Sequence, residues 1–143
     1  MHLITKNEQL ADFCARLKGQ DAVAVDTEFL REKTYWPKLC LVQVAGANEA
    51  AAIDPLADGM DISPLLALWD APETVKVFHA GRQDLEIFFH IGGRLPAPLF
   101  DTQLAAMVCG FGDQVSYETL AAKLARARLD KGSRFTDWTA VPA

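Results

Sequence analysis

The chain has 143 residues, half of them hydrophobic, and a formal net charge of −5; this suits one globular domain with its own core. It has no stretch of eighteen or more apolar residues, which excludes a transmembrane helix, and Met1-His2-Leu3-Ile4-Thr5-Lys6 lacks the basic flank and apolar run of a secretory signal. The acidic balance counts against passive coating of a phosphate backbone, although an enzyme could still grip nucleic acid locally through metal ions.

In chain order, Thr5 to Glu8 has the spacing of a capping box. Leu10, Phe13, Cys14 and Leu17 follow at helical spacing, and Gly19 is placed to end that helix. Ala22-Val23-Ala24-Val25 is too short and too rich in valine for a buried helix, so it is read as a central strand leading into Asp26-Thr27-Glu28. Leu39 to Ala45 forms a second strand, and Gly46-Ala47-Asn48 turns into a third around Ala50 to Ile53. So close a connection requires an antiparallel pair.

Ser63-Pro64 opens a short helix through Trp69, with proline in the tolerated first turn. Val75 to Phe78 is a fourth strand running into His79-Ala80-Gly81. A helix follows from Arg82 to Phe89, with Leu85, Phe88 and Phe89 on one stripe. Leu99-Phe100 is a fifth strand, Asp101 caps a helix from Thr102 to Cys109, and Ser116 caps another carrying Leu120 and Leu124. The expected fold class is α/β: an antiparallel meander followed by β–α–β–α, a mixed sheet with helices packed on it.

Cys14, Cys40 and Cys109 are widely spaced, each within an apolar segment, and read as buried thiols of a cytoplasmic protein. Lys123, Arg126, Arg128, Lys131 and Arg134 face only Asp130 over a dozen residues, which by charge alone describes a solvated helix face.

Chemistry concentrates at three acids. Alternation along a strand points Asp26 and Glu28 to one face and Thr27 to the other. Two like charges at the end of a buried strand repel each other and resist desolvation. A shared proton, a basic side chain or a divalent cation could offset that; Mg²⁺ and Mn²⁺ favour oxygen ligands of this kind. Asp84, one turn into the helix after the fourth strand, joins them if the first and fourth strands are parallel neighbours, because ligands of open α/β sheets gather at the strands' carboxyl ends. A D-x-E also occurs in ordinary turns, and a lone helical aspartate is commonly just solvated.

Asp26-Thr27-Glu28-Phe29, Thr34-Tyr35-Trp36-Pro37 with Leu39 to Gln43, Phe78 to Leu85, Phe100 to Gln103, Leu129-Asp130-Lys131 and Asp137-Trp138 together resemble the ribonuclease D family, DEDD-type 3′-5′ exonucleases with a ribonuclease-H-like fold. The resemblance spans essentially the whole chain. It implies a two-metal hydrolysis, with Mg²⁺ or Mn²⁺, that releases nucleotides from RNA 3′ ends, tRNA precursors among them. By motif, Asp26, Glu28 and Asp84 are implied as metal ligands, with Asp26 as the bridge. Phe29 could pack on the terminal base or in the core, His79 could orient substrate or serve structurally, and Gln43 could face the site. Asp101 reads mainly as a helix cap and Cys40 as core. The basic stretch from Lys123 to Arg134 gains credit as an RNA-facing surface.

The family's third motif, Tyr-x-x-x-Asp, is absent: Tyr35 is followed at that spacing by Leu39 and Tyr117 by Ala121. Residues 1–143 are therefore expected to be an incomplete exonuclease domain, lacking the fourth acid and the helical RNA-holding domain, and weakly active or inactive alone. A phosphatase with an aspartyl nucleophile would want Asp-x-Asp, which Glu28 disfavours. The other alternative is an exonuclease-like fold kept as a nucleic-acid-binding or assembly module.

Overall fold

The computed structural model describes residues 2–31 and 35–129. Thr34 and the motif residues Asp130, Lys131, Arg134, Asp137 and Trp138 lie outside the described residues. The elements are β1 (His2–Ile4), α1 (Asn7–Leu17), β2 (Ala22–Leu30), β3 (Lys38–Ala45), β4 (Ala50–Ile53), α2 (Ser63–Trp69), β5 (Val75–Phe78), α3 (Arg82–Gly92), β6 (Leu99–Asp101), α4 (Thr102–Val108) and α5 (Tyr117–Leu120), the last continued by a π-helical segment, Ala121–Ala125.

The strands form one sheet in the order β1-β4-β3-β2-β5-β6. β2, β3 and β4 are the anticipated antiparallel meander, and β5 and β6 extend it in parallel from β2. β1 was not expected. Its three residues pair in parallel with Ala51 to Ile53, and a segment that short carries almost no periodicity of its own.

Alternation sorts β2 into two faces. Val23, Val25 and Thr27 are buried with Val42, Val44 and Ile53 of the neighbouring strands, against Leu10, Phe13 and Leu17 of α1, Leu65, Leu68 and Trp69 of α2, and Ile87 and Phe88 of α3. The opposite face carries Ala24 and Asp26, paired across to Ala45 and Gln43. One face of the sheet therefore holds the core, and the other presents small residues beside the acids.

Four local expectations need correction. The first residue outside α1 is Lys6, with no side-chain cap bond, so the Thr5–Glu8 box does not form. Phe89 is exposed; Ile87, not Phe89, joins Phe88 inside, because α3 turns its stripe by about a third of a turn from the assumed one. The helix capped by Ser116 is α-helical only as far as Leu120; Leu124 lies in the π-helical segment that follows and is exposed. Cys109 is exposed at the end of α4, unlike Cys14 and Cys40; burial pushes the Cys14 thiol up to about 12.

Lys76 is fully buried in β5. Its Nζ donates to the carbonyls of Ala71 (2.8 Å) and Ala97 (2.7 Å), tying the segments that enter β5 and β6. Burial lowers its pKa below the ordinary 10.5, partly offset by Asp70 and Glu73. Lys76→Met leaves two carbonyls without a donor and is expected to cost about 2 kcal/mol or more in chemical unfolding. The unfolded chain holds the lysine proton more tightly, so the contribution of Lys76 grows as pH rises from the folded value towards 10.5. The gap between wild type and variant should widen on that alkaline limb.

Candidate active site: three carboxylates at the edge of the parallel ladder

β2 is longer than its apolar run suggested. Asp26 and Glu28 lie inside the strand rather than at its end, because β3 continues to pair with them (Asp26 opposite Gln43, Glu28 opposite Leu41). The parallel ladder to β5 stops earlier, with Ala24 opposite Val77. The acids therefore start where β2 loses its β5 neighbour, and α3 begins in that gap. Between Glu28 and Phe29 the register slips, a bulge of the kind that re-aims side chains at functional edges.

Asp84 enters from the first turn of α3 and is buried. The Thr27 hydroxyl, on the core face, donates to its Oδ1. Thr27 was passed over in the sequence because it points away from Asp26 and Glu28. The signal was nonetheless present: a hydroxyl at a buried position of an apolar strand must find a polar partner.

Asp101 does more than cap α4. Its carboxylate accepts from Gln103 and Leu104 of α4, and also from the backbone N–H of Ala80 (3.1 Å) and Gly81 (2.8 Å). That holds the turn from which α3 starts. Ala80 sits there at φ 54°, a conformation that disfavours any residue with a Cβ. At Gly81 a Cβ would come within 2.6 Å of Phe78 Cβ, so only glycine fits. His79 spends both ring nitrogens on the protein: Nδ1 lies 2.8 Å from the Thr102 hydroxyl and Nε2 3.0 Å from the Val115 carbonyl. A carbonyl only accepts, so Nε2 carries a proton. His79 is thus a staple between β5, α4 and the start of α5, leaving only its ring surface for any ligand.

A cleft of about 370 Å³ lies on the open face, lined by Ala24, Asp26, Gln43, Ala45, Ala50, Val77, His79, Thr102 and Tyr117 among others. Gln43 is beside Asp26, on the same face. Phe29 is partly buried against the main core, the packing alternative of its two readings. Lys123, Arg126 and Arg128 are exposed, with the Lys123 ammonium 5.9 Å from the Phe111 ring centroid.

The electrostatics of the acids agree with one another. Desolvation raises Asp26, partly offset by the Thr27 N–H and by His79. Desolvation, then Asp26 and Asp84, raises Glu28. Desolvation raises Asp84, against the Thr27 hydroxyl and together with Asp26. Among the described residues no lysine or arginine is paired with any of the three; ion pairs there include Arg16–Glu49, Arg31–Glu86 and Arg94–Asp70. Neither do three His, Cys, Asp or Glu side chains among the described residues already close on one point as a metal cage. The donor set is all oxygen and mutually repulsive, with no described lysine or arginine paired to it, which suits a hard divalent cation.

Burial pushes Asp101 up, but its bonds from Gly81, Gln103, Ala80 and Leu104 outweigh this and hold it below the ordinary carboxylate value of 3.8. Its contribution is present above 3.8 and lost as pH falls through the lower folded value. Asp101→Asn turns an amide donor towards backbone donors and is expected to cost about 2 kcal/mol at neutral pH. Acid titration of unfolding should show the variant's disadvantage shrinking below that value.

The chain matches the 3′-5′ exonuclease family over residues 1–143. It is 60% identical to ribonuclease D of Jannaschia sp. (strain CCS1) over 145 aligned positions, covering 99% of this chain and 38% of that protein. Among solved structures it resembles Escherichia coli RNase D, an exoribonuclease involved in structured RNA processing, with a TM-score of 0.91 and 40% identity over 99% of this chain and 37% of that one. It also resembles Brucella melitensis NrnC with bound Mg²⁺, with a TM-score of 0.74 and 29% identity over 89% of this chain and 62% of that one. The chain thus spans well under half the length of its ribonuclease D relatives. The chain belongs to the 3′-5′ exonuclease family, as a relative of ribonuclease D.

Proposed function

We propose that residues 1–143 form an exonuclease domain that contributes Asp26, Glu28 and Asp84 as ligands for two divalent cations, Mg²⁺ or Mn²⁺, in the hydrolysis of RNA from its 3′ end. The observation that carries this reading is the mutual repulsion of three carboxylates that no lysine or arginine among the described residues pairs with. The Mg²⁺ bound to a relative of the same fold supports the choice of ion.

A bound cation pair would supply a water of lowered pKa and a clamp on the attacking and leaving oxygens. The chain's own residues do the rest. Asp26 and Glu28 present carboxylates from the open face, where substrate phosphate has access. Thr27 holds one oxygen of Asp84 and so limits the rotamers of that side chain. Asp101 and His79 fix the turn and the cleft wall on which Asp84 depends. Gln43, beside Asp26, has an amide able to donate to a phosphate or ribose oxygen, and the ring of His79 lines the same cleft. The substrate is RNA, with tRNA precursors as the class implied by resemblance to ribonuclease D.

A second reading also has an observation in its favour. The three acids do not close on one point, and the sequence has no Tyr-x-x-x-Asp. On its own the chain is therefore weakly active or inactive, and a non-catalytic nucleic-acid-binding module is the alternative. Incubating the purified chain with a 3′-labelled single-stranded RNA and Mn²⁺ should give little shortening but measurable Mn²⁺ binding, which Asp26→Ala lowers at least tenfold. Rapid digestion that Asp26→Ala abolishes would contradict the weak-activity claim. Mn²⁺ binding untouched by Asp26→Ala would remove the metal assignment.

A further inference from the structure

Beyond the acids, the loop joining β2 to β3 presents an aromatic pair that the core does not use. Tyr35 is 88% exposed and Trp36 44%. Trp36 lies flat on the imidazole of His90, with centroids 4.3 Å apart and planes 12° from parallel. Tyr35 meets Trp36 edge-on at 5.1 Å. The other end of the loop is pinned by Arg31 to Glu86 at 3.0 Å. Glu86 and His90 are four residues apart and so share one side of α3, the helix that carries Asp84. Arg31 and Trp36 thus both contact α3, and the ring of Tyr35, beside Trp36, is held out into solvent.

An aromatic ring so exposed adds little to stability, since it removes almost no apolar surface from water. What the arrangement provides is a flat apolar face whose neighbours are already ordered, so that little freedom is lost when a second ring stacks on it. Lys38, exposed at the start of β3 and paired with Leu30, places a cation at the foot of the loop. Leu30 is two residues beyond Glu28, about 7 Å along the strand. A stacking ring with an adjacent lysine is a combination that grips single-stranded nucleic acid.

We propose that Tyr35 is a base-stacking residue for the RNA strand, taking the base of a nucleotide upstream of the one being removed, with Lys38 on a neighbouring phosphate. This rests on the exonuclease reading and adds to it a substrate contact outside the acid motifs.

The test is equilibrium binding, with Mn²⁺, of short single-stranded oligoadenylates carrying 2-aminopurine at each of the last four positions in turn. Stacking quenches this base. In wild type, one internal position should be quenched more than the terminal one. Tyr35→Ala should relieve that quenching and weaken affinity about tenfold, Tyr35→Phe should retain both, and melting should be unchanged in both variants. Wild-type affinity and quenching in Tyr35→Ala would overturn the assignment of Tyr35 alone. A wild-type chain that binds no RNA at all would overturn it together with the exonuclease reading.

Discussion

Three carboxylates held near one another, with no lysine or arginine of the described residues paired to them, are the constraint around which this structure is organised. Asp26 and Glu28 are placed by strand alternation, and Asp84 by a helix that starts where the parallel ladder stops. Each is raised by desolvation, and Glu28 and Asp84 are raised further by neighbouring acids. The fold tolerates this cost at one edge because the other face of β2 is apolar and well packed. It concentrates polar reinforcement in a few residues: Thr27 on Asp84, Asp101 on the turn before α3, and His79 between three elements. These supports hold the framework around the acids, which do not themselves close on one point.

The sheet explains why Asp26 borders an apolar cleft. Opposite the core, the central strands present alanines at positions 24, 45 and 50, and small side chains leave space above the backbone. Asp26 and Gln43 are at one end of this space, and His79, Thr102 and Tyr117 line it from the α4 and α5 side. The relation to ribonuclease D is consistent with that layout, since those relatives extend well beyond the length of this chain.

Much of this was legible in the sequence. Valine alternation around Val23 and Val25, the short link at Gly46 and the proline at the start of α2 gave the elements, and the caps at Asp101 and Ser116 were read correctly. The relation between Asp26 and Asp84 could only be conditional, because the parallel pairing of β2 with β5 depends on contacts some fifty residues apart in the chain. For the same reason the sequence did not show that Asp101 reaches back to Ala80 and Gly81, or that Gln43 sits opposite Asp26. The failures were local competitions. Lys6, rather than Thr5, precedes α1, and a π-helical segment replaces the last part of the helix expected to carry Leu124.

The central claim is that the three acids form an uncompensated cation site, and the most direct measurement is unfolding stability with and without divalent metal. Millimolar Mn²⁺ should raise the unfolding midpoint of the wild-type chain, as any ligand specific to the folded state does, while Na⁺ at equal ionic strength should not. Glu28→Gln should stabilise the metal-free chain by relieving repulsion and should remove most of the response to Mn²⁺. A midpoint indifferent to Mn²⁺, or a Glu28→Gln chain that is less stable than wild type and responds to Mn²⁺ as before, would contradict the account.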